Sequence, residues 1–333
     1  MSKKTISILM LICLLLGAHP SFSEDKVLYN AQITMNYPNS FTNVYAKADK
    51  NSAVLGKLNP GNPVQIVEIQ PNYLGIAYGN GKGYVIRGRV DNVKRIDFKN
   101  LPPYGVNQIK YYTTFWQDTP IYAEPNASSE TLITMHPGSM VGFIDIVDGW
   151  AYLIFKRQYG YVDTRYLKSL EKVAPEVEYG DANTPIAVFN SFYNIKETEL
   201  NLNRIENLKL GSQRMSMLMQ PGQKMDFNNE VGPFTAGNGY LEAGALVDGE
   251  WGTATGGGSC QISSTLYNAV LQLTGLTVLV RAPHGSDGAS YLPHGMDATS
   301  AKLNFVFRND YPFPIQIKTH VQDGSLFVAI YKV

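Results

Sequence analysis

The sequence predicts a multidomain protein: two small all-β barrels followed by a mixed α/β (α+β) domain. Three observations point there: a tandem repeat in the first half, a composition rich in turn formers and tyrosine, and one Gly-rich turn that runs into a helical stretch near the C-terminus. The chain has 21 Tyr, 30 Gly and 18 Pro, a profile of short strands and turns rather than of a helical bundle. Its 333 residues, 44% hydrophobic and 17% charged, suffice for two or three domains and exclude a disordered or fibrous chain. With 28 basic and 28 acidic side chains there is no surplus charge to attract nucleic acid.

The N-terminus reads as an export signal at residues 1–23. Lys3 and Lys4 precede an apolar run from Ile6 to Gly17, and Ser21-Phe22-Ser23 offers small residues at alternate positions for cleavage after Ser23. That run is too short for a stable span, and no other stretch reaches the roughly 18–20 apolar residues of a membrane helix. The mature protein is therefore expected to be exported, to the cell wall or extracellular space or the periplasm, without a membrane span. Cys13 leaves with the signal, so Cys260 becomes the sole cysteine and no internal disulfide can form. A lone Cys in such a protein is either a small buried hydrophobe or a reactive nucleophile.

The repeat has a constant offset of 77 residues over about fifty positions. Val44-Tyr45-Ala46 aligns with Ile121-Tyr122-Ala123, Pro60-Gly61 with Pro137-Gly138, Tyr73 with Trp150, and Gly83-Tyr84-Val85 with Gly160-Tyr161-Val162. Alternating apolar residues, Val64 and Ile66 or Val141 and Phe143, predict strands with one buried face. These residues resemble the bacterial SH3 (SH3b) family, in two copies across roughly 38–170. The resemblance implies two SH3-like barrels, 24–98 and 99–172, that contact peptidoglycan stem peptides or glycan. Between Leu170 and Pro185 the sequence turns polar, which places a linker at 173–183 and a last domain at 184–333.

In that last domain Gly256-Gly257-Gly258-Ser259-Cys260-Gln261 precedes Ile262, Leu266, Ala269 or Val270, and Leu273, at spacings of three and four, with Gly275 as the stop. Cys260 is thus predicted to open a helix. Unpaired N–H groups and the helix dipole there favour a thiolate, and the same N–H groups can hold an oxyanion. The glycines allow a substrate carbonyl to approach the backbone. A phosphate loop lacks its Lys and Ser/Thr, and a zinc site lacks a closely spaced ligand pair, so neither metal nor cofactor is expected. A thiolate in acyl transfer works with an imidazole. His284 and His294 both lie in Gly- and Pro-rich loops, and either can be the base; Asp297 is the nearest acid to orient it and Tyr291 can supply a hydroxyl. Arg204, beside Asn203, either binds a substrate carboxylate through its planar guanidinium or fastens the domain by a salt bridge.

From about Thr184 onward the chain resembles the VanW family. The resemblance rests on Asn203-Arg204, Pro221-Gly222, Phe227-Asn228, the whole of Gly256 to Asn268, Arg281, His284, Tyr291, Asp297-Ala298-Thr299, and Phe305, Phe307 and Asn309. It implies a VanW domain acting as a cysteine L,D-transpeptidase on peptidoglycan, with Cys260 as nucleophile and His284 favoured as base over His294. The spacing from His284 to Tyr291 is one residue longer than in the family, with Gly285 as the insertion. Gly257, Gly258, Ser259 and Gln261 are expected to form the oxyanion and substrate cradle, with Arg204 and Tyr291. Two other readings stay open: a non-catalytic wall-binding scaffold, and a Cys/His peptidoglycan amidase or endopeptidase.

Overall fold

The computed structural model describes residues 27–34, 39–70, 72–95, 108–247, 250–284, 289–293 and 296–333, without the side chains of 91–95, 247, 250 and 251. The expected export signal, the Gly285 insertion and His294 lie outside the described residues.

The first β unit contains β1 (Tyr29–Ile33), β2 (Thr42–Tyr45), β3 (Val54–Leu58), β4 (Pro63–Ile69), β5 (Tyr73–Tyr78), β6 (Gly81–Ile86) and β7 (Val90–Arg95). They form one antiparallel sheet in the order β3-β2-β6-β5-β4-β1-β7. Val64 and Ile66 face inward while Gln65 is exposed, the period of two that a strand buried on one face requires.

The second unit contains β8 (Tyr111–Thr114), β9 (Thr119–Tyr122), β10 (Thr131–Met135), β11 (Met140–Phe143), β12 (Asp145–Val147), β13 (Trp150–Phe155), β14 (Gln158–Asp163) and β15 (Glu171–Lys172). Every boundary of β2, β3, β5 and β6 recurs 77 residues later in β9, β10, β13 and β14. The pairing recurs too, with Tyr45 opposite Tyr84 and Tyr122 opposite Tyr161. One difference is physical: β4 is continuous, whereas its counterpart breaks at Ile144, which turns inward. Gly142 in β11 is buried along with Val141 and Phe143, because a side chain there would strike Ile109 and Val188. This unit is packed against the rest of the chain.

The remainder contains β16 (Pro185–Phe192), α1 (Glu199–Met215), β17 (Leu218–Met219), β18 (Lys224–Asp226), α2 (Phe227–Val231), β19 (Glu242–Val247), β20 (Glu250–Thr255), α3 (Ser259–Val270), β21 (Leu276–Val280), β22 (Val306–Asn309), β23 (Ile315–Gln322) and β24 (Ser325–Lys332). Its sheets are β16-β24-β23-β17, β18-β22-β21 and the hairpin β19-β20. α3 lies between them, and eleven of its twelve residues are buried. α1 crosses it closely because Gly211 leaves room for Ile262.

α3 stops at Val270, short of the predicted Gly275. Leu273 N–H bonds back to Val270 O in a tighter turn, and Gln272 swings into the core, donating to Val188 O at 2.7 Å and accepting from Ile109 N at 3.0 Å. Tertiary hydrogen bonds override the apolar period there. The polar stretch after β15 is packed as well: Val173 and Ala174 are buried and bond to Lys110 O and Pro185 O.

The second unit shares a core with the C-terminal part. Phe192, at the end of β16, stacks on Phe155 with ring centroids 4.8 Å apart, and Asn190 Oδ1 accepts from Gly142 N at 2.9 Å. Burying one such aromatic contributes about 1.5–3 kcal/mol.

Candidate active site

Two glycines set the turn that delivers Cys260. Gly258 caps α3 with φ +110°, a left-handed conformation that side chains resist. A Cβ on Gly257 would lie 2.7 Å from Ala243 O, so only glycine lets this turn pass β19 so closely. Asn207 of α1 locks the arrangement by donating to Gly257 O at 3.0 Å and to Leu241 O at 2.9 Å. Cys260 then falls at the second helical position, where its N–H has no partner within the helix, and its side chain is partly exposed.

The polar residues of α3 organise the opposite wall. Ser263 Oγ donates to Ala298 O at 2.6 Å, Ser264 Oγ accepts from Ala298 N at 2.9 Å, and Asn268 Nδ2 donates to Met296 O at 2.7 Å. Six hydroxyl and amide side chains buried on one helix are tolerable because each is paired, Thr265 with Gln261 O. The segment 296–300 is thereby held along the helix, which places Asp297 and Ser300 beside Cys260.

Asp297 is fully buried, and its Oδ2 accepts from both the backbone N and Nδ1 of His284, each at 2.6 Å. The same imidazole stands near enough to the Cys260 sulfur for each group to shift the other's titration. With Nδ1 committed to Asp297, the nitrogen facing sulfur is Nε2. Ser300 N–H also donates to Sγ at 3.4 Å, and the Ser300 hydroxyl lies 3.5 Å from Sγ and 3.2 Å from Ser259 Oγ. Arg281 backs the carboxylate: its Nη2 stands 3.7 Å from Asp297 Oδ1 and its Nε donates to Asp297 O at 2.8 Å.

These contacts set the charges. Burial disfavours the Cys260 thiolate, but the hydrogen bond and charge of His284 and the two Ser300 donors outweigh it and bring the thiol below its ordinary pKa. Burial would likewise lower His284; hydrogen bonds and charge from Asp297 and Cys260 push it up to about 10 instead. Asp297 resists the burial that would raise it because His284 and Arg281 hold it below the usual carboxylate range. Both shifts favour the thiolate–imidazolium form of the pair.

The other expected site residues divide into holders and free donors. Gly257 N–H is taken by Ala254 O and Ser259 N–H by Gly256 O, both at 3.1 Å, and Gln261 N–H is taken by Gly258 O at 2.8 Å. Of the four residues expected from the sequence that leaves the Gly258 N–H, next to the Cys260 N–H. The Gln261 side chain is fixed by donating to Ser191 Oγ and Phe192 O, and its Oε1 accepts from Arg204 Nη2 at 3.0 Å. Tyr291 carries a buried hydroxyl that burial keeps protonated. The nearby Ser264 Oγ is already engaged with Ala298, which leaves that hydroxyl without a well-formed partner. Arg204 has no carboxylate within ion-pair range among the described residues. His136 pairs with Asp118 and His320 with Gly138 O, each in contact with the second unit. Ser300, Arg281 and Asn207 were not singled out as site residues from sequence; Ser300, directly after the Asp-Ala-Thr run, was the most accessible of them.

Comparison with known proteins fits this division of the chain. Residues 203–331 match the family described as VanW like protein, and residues 40–91 match the bacterial SH3 domain. The uncharacterized protein YoaR of Bacillus subtilis is 29% identical over 254 residues, 73% of this chain and 81% of that protein. The vancomycin B-type resistance protein VanW of Enterococcus faecalis is 28% identical over 151 residues, 39% of this chain and 53% of that relative, about half its length. Among solved structures, NlpC2 from Trichomonas vaginalis aligns over 59% of this chain and 58% of its own at 12% identity and a TM-score of 0.17.

Proposed function

We propose that this chain, which carries a bacterial SH3 domain at 40–91 and a VanW domain at 203–331, is an exported cysteine L,D-transpeptidase acting on peptidoglycan stem peptides. The observation that carries the reading is the Cys260–His284–Asp297 constellation at the start of α3, where Cys260 as a residue is only partly buried. A sealed structural cysteine needs no oriented imidazolium. The substrate class follows from the company of a wall-associated SH3 domain and a VanW domain. The repeat offset supports a second SH3-type barrel at 99–172 with the same wall-directed role.

The reaction runs in two steps. The Cys260 thiolate attacks the carbonyl carbon of the third stem residue, and the resulting oxyanion takes hydrogen bonds from the Cys260 N–H and the Tyr291 hydroxyl. His284 Nε2 passes its proton to the departing D-Ala amine as the C–N bond breaks, leaving a thioester and a neutral imidazole. In the second step an amine of a neighbouring stem attacks the thioester carbonyl. His284 takes the amine proton, the C–S bond breaks, and a 3-3 cross-link and the thiolate result. Water in place of the amine gives L,D-carboxypeptidase activity. The test is muropeptide analysis after incubation with disaccharide-tetrapeptide: D-Ala loss and 3-3 dimers support the reading, while cleavage of the glycan–peptide amide or an internal stem bond points to an amidase or endopeptidase.

A further inference from the structure

A cleft of about 680 Å³ opens between the second β unit and the VanW domain, and its lining includes Gln261, the residue after Cys260. One wall carries Ile133, Phe155 and Lys156; the other carries Arg204, Gln261 and Tyr291. Such a volume is far more than a departing amino acid fills and matches a short peptide.

Arg204 is the unusual group in it. Burial pulls its pKa below the ordinary value, yet its two hydrogen-bond partners are neutral, Gly244 O at 3.1 Å and Gln261 Oε1 at 3.0 Å. Those use two of its five N–H donors. A cation drawn from water with no carboxylate in ion-pair range among the described residues is costly, and an incoming carboxylate relieves that cost with paired, charge-assisted hydrogen bonds. Its position is fixed as well: the Gln261 amide that holds it is anchored by its own two donations, and the stem of Arg204 lies against Gly258, where a Cβ would be 3.3 Å from Arg204 Cγ. Its partner Gln261 directly follows Cys260 in α3, and the Cys260 charge acts on the guanidinium, so cation and sulfur share one neighbourhood.

We infer that this cleft is the subsite for the leaving and accepting amine, and that Arg204 selects amines carrying a free carboxylate on the same carbon. The inference rests on the proposed transpeptidase reading and names the acceptor class for that site. D-Ala leaves with its amine and carboxylate on one carbon. An acceptor with the same α-amino carboxylate, such as the far end of a diaminopimelate side chain, meets Arg204 in the same way, whereas a plain lysine-type amine does not. The second β unit then forms the wall along which the rest of the accepting stem lies, making it part of the site as well as a tether.

The experiment forms the acyl-enzyme from disaccharide-tetrapeptide and offers D-alanine, D-alaninamide or Nα-acetyl-lysine amide as acceptor, for the unaltered protein, Arg204→Gln and Arg204→Lys. D-Ala release and the adduct mass on Cys260 report acylation separately from acceptor choice. The expected result is a preference of about ten-fold or more for D-alanine over D-alaninamide, from the charge-assisted pair. The amide has the less protonated amine at neutral pH, so intrinsic reactivity runs the other way. Arg204→Gln should abolish the preference and Arg204→Lys should keep part of it. Equal use of the two acceptors by an acylated protein, or an unchanged preference in Arg204→Gln, overturns the subsite while leaving the transpeptidase reading intact. Absence of any adduct overturns both.

Discussion

Arg281 donates from Nη1 to the carbonyl oxygen of Gly88 in the first β unit, 3.2 Å away, while its Nη2 faces Asp297 Oδ1. Pro283, one residue before the site histidine, packs toward the same Gly88. One fully buried guanidinium thus joins the first β unit to the carboxylate that orients His284, with the Tyr267 ring 5.3 Å from its Cζ.

Removing that cation leaves buried Asp297 with His284 as its remaining charged support. Arg281→Gln is expected to destabilise the protein by about 3–5 kcal/mol, the cost of breaking a buried pair from one side. Urea unfolding checks the figure, and a loss under 1 kcal/mol would show the link to be dispensable.

Asp297→Asn tests the relay more locally. The amide can still accept one of the two His284 hydrogen bonds but supplies no charge, so the imidazolium loses its main support. D-Ala release is expected to fall by about 10²-fold or more. Iodoacetamide labelling of Cys260 should then need a pH nearer the ordinary thiol value of 9.0. Unchanged labelling at pH 6 would remove Asp297 from the account.

The same charges give a pH dependence of defined sign. His284 is raised from 6.5 to about 10, so the imidazolium proton donor persists through the neutral range and is lost as pH rises through about 10. The stability that His284 gains from its partners is whole below pH 6.5 and declines over the same interval. Single-turnover D-Ala release should therefore hold level from pH 7 to 9 and fall above it. A fall centred near pH 6.5 would mean an imidazole without its partners.

How much of this was legible in the sequence follows from which contacts are local. The start of α3 at Cys260 was readable because three glycines and an apolar period meet there. The choice of His284 as base came from family resemblance alone; the residues themselves left His294 equal. The pairing of His284 with Asp297 depends on Ser263, Ser264 and Asn268 gripping the 296–300 segment, contacts spanning 28 to 35 residues. The loss of Gly257 and Gln261 N–H groups to turn bonds, and the cleft wall from Phe155 and Lys156, arise from packing that no local pattern encodes.

Gly258→Ala probes the turn itself. The substitution forces an L side chain to φ +110° and places its Cβ 3.3 Å from Arg204 Cγ and Leu208 Cδ2. A destabilisation of about 1–2 kcal/mol is expected from the backbone strain, along with weaker discrimination between D-alanine and D-alaninamide as Arg204 is displaced. A variant with unaltered unfolding and acceptor choice would contradict the tight packing of this turn.

The central claim, that Cys260 carries the acyl group, is tested most directly by intact-mass measurement of the protein incubated with disaccharide-tetrapeptide. The prediction is an adduct equal to the donor minus D-Ala, labile to hydroxylamine and missing in Cys260→Ala, which also releases no D-Ala. Equal D-Ala release by both proteins, or neither adduct nor release from the unaltered one, would contradict it.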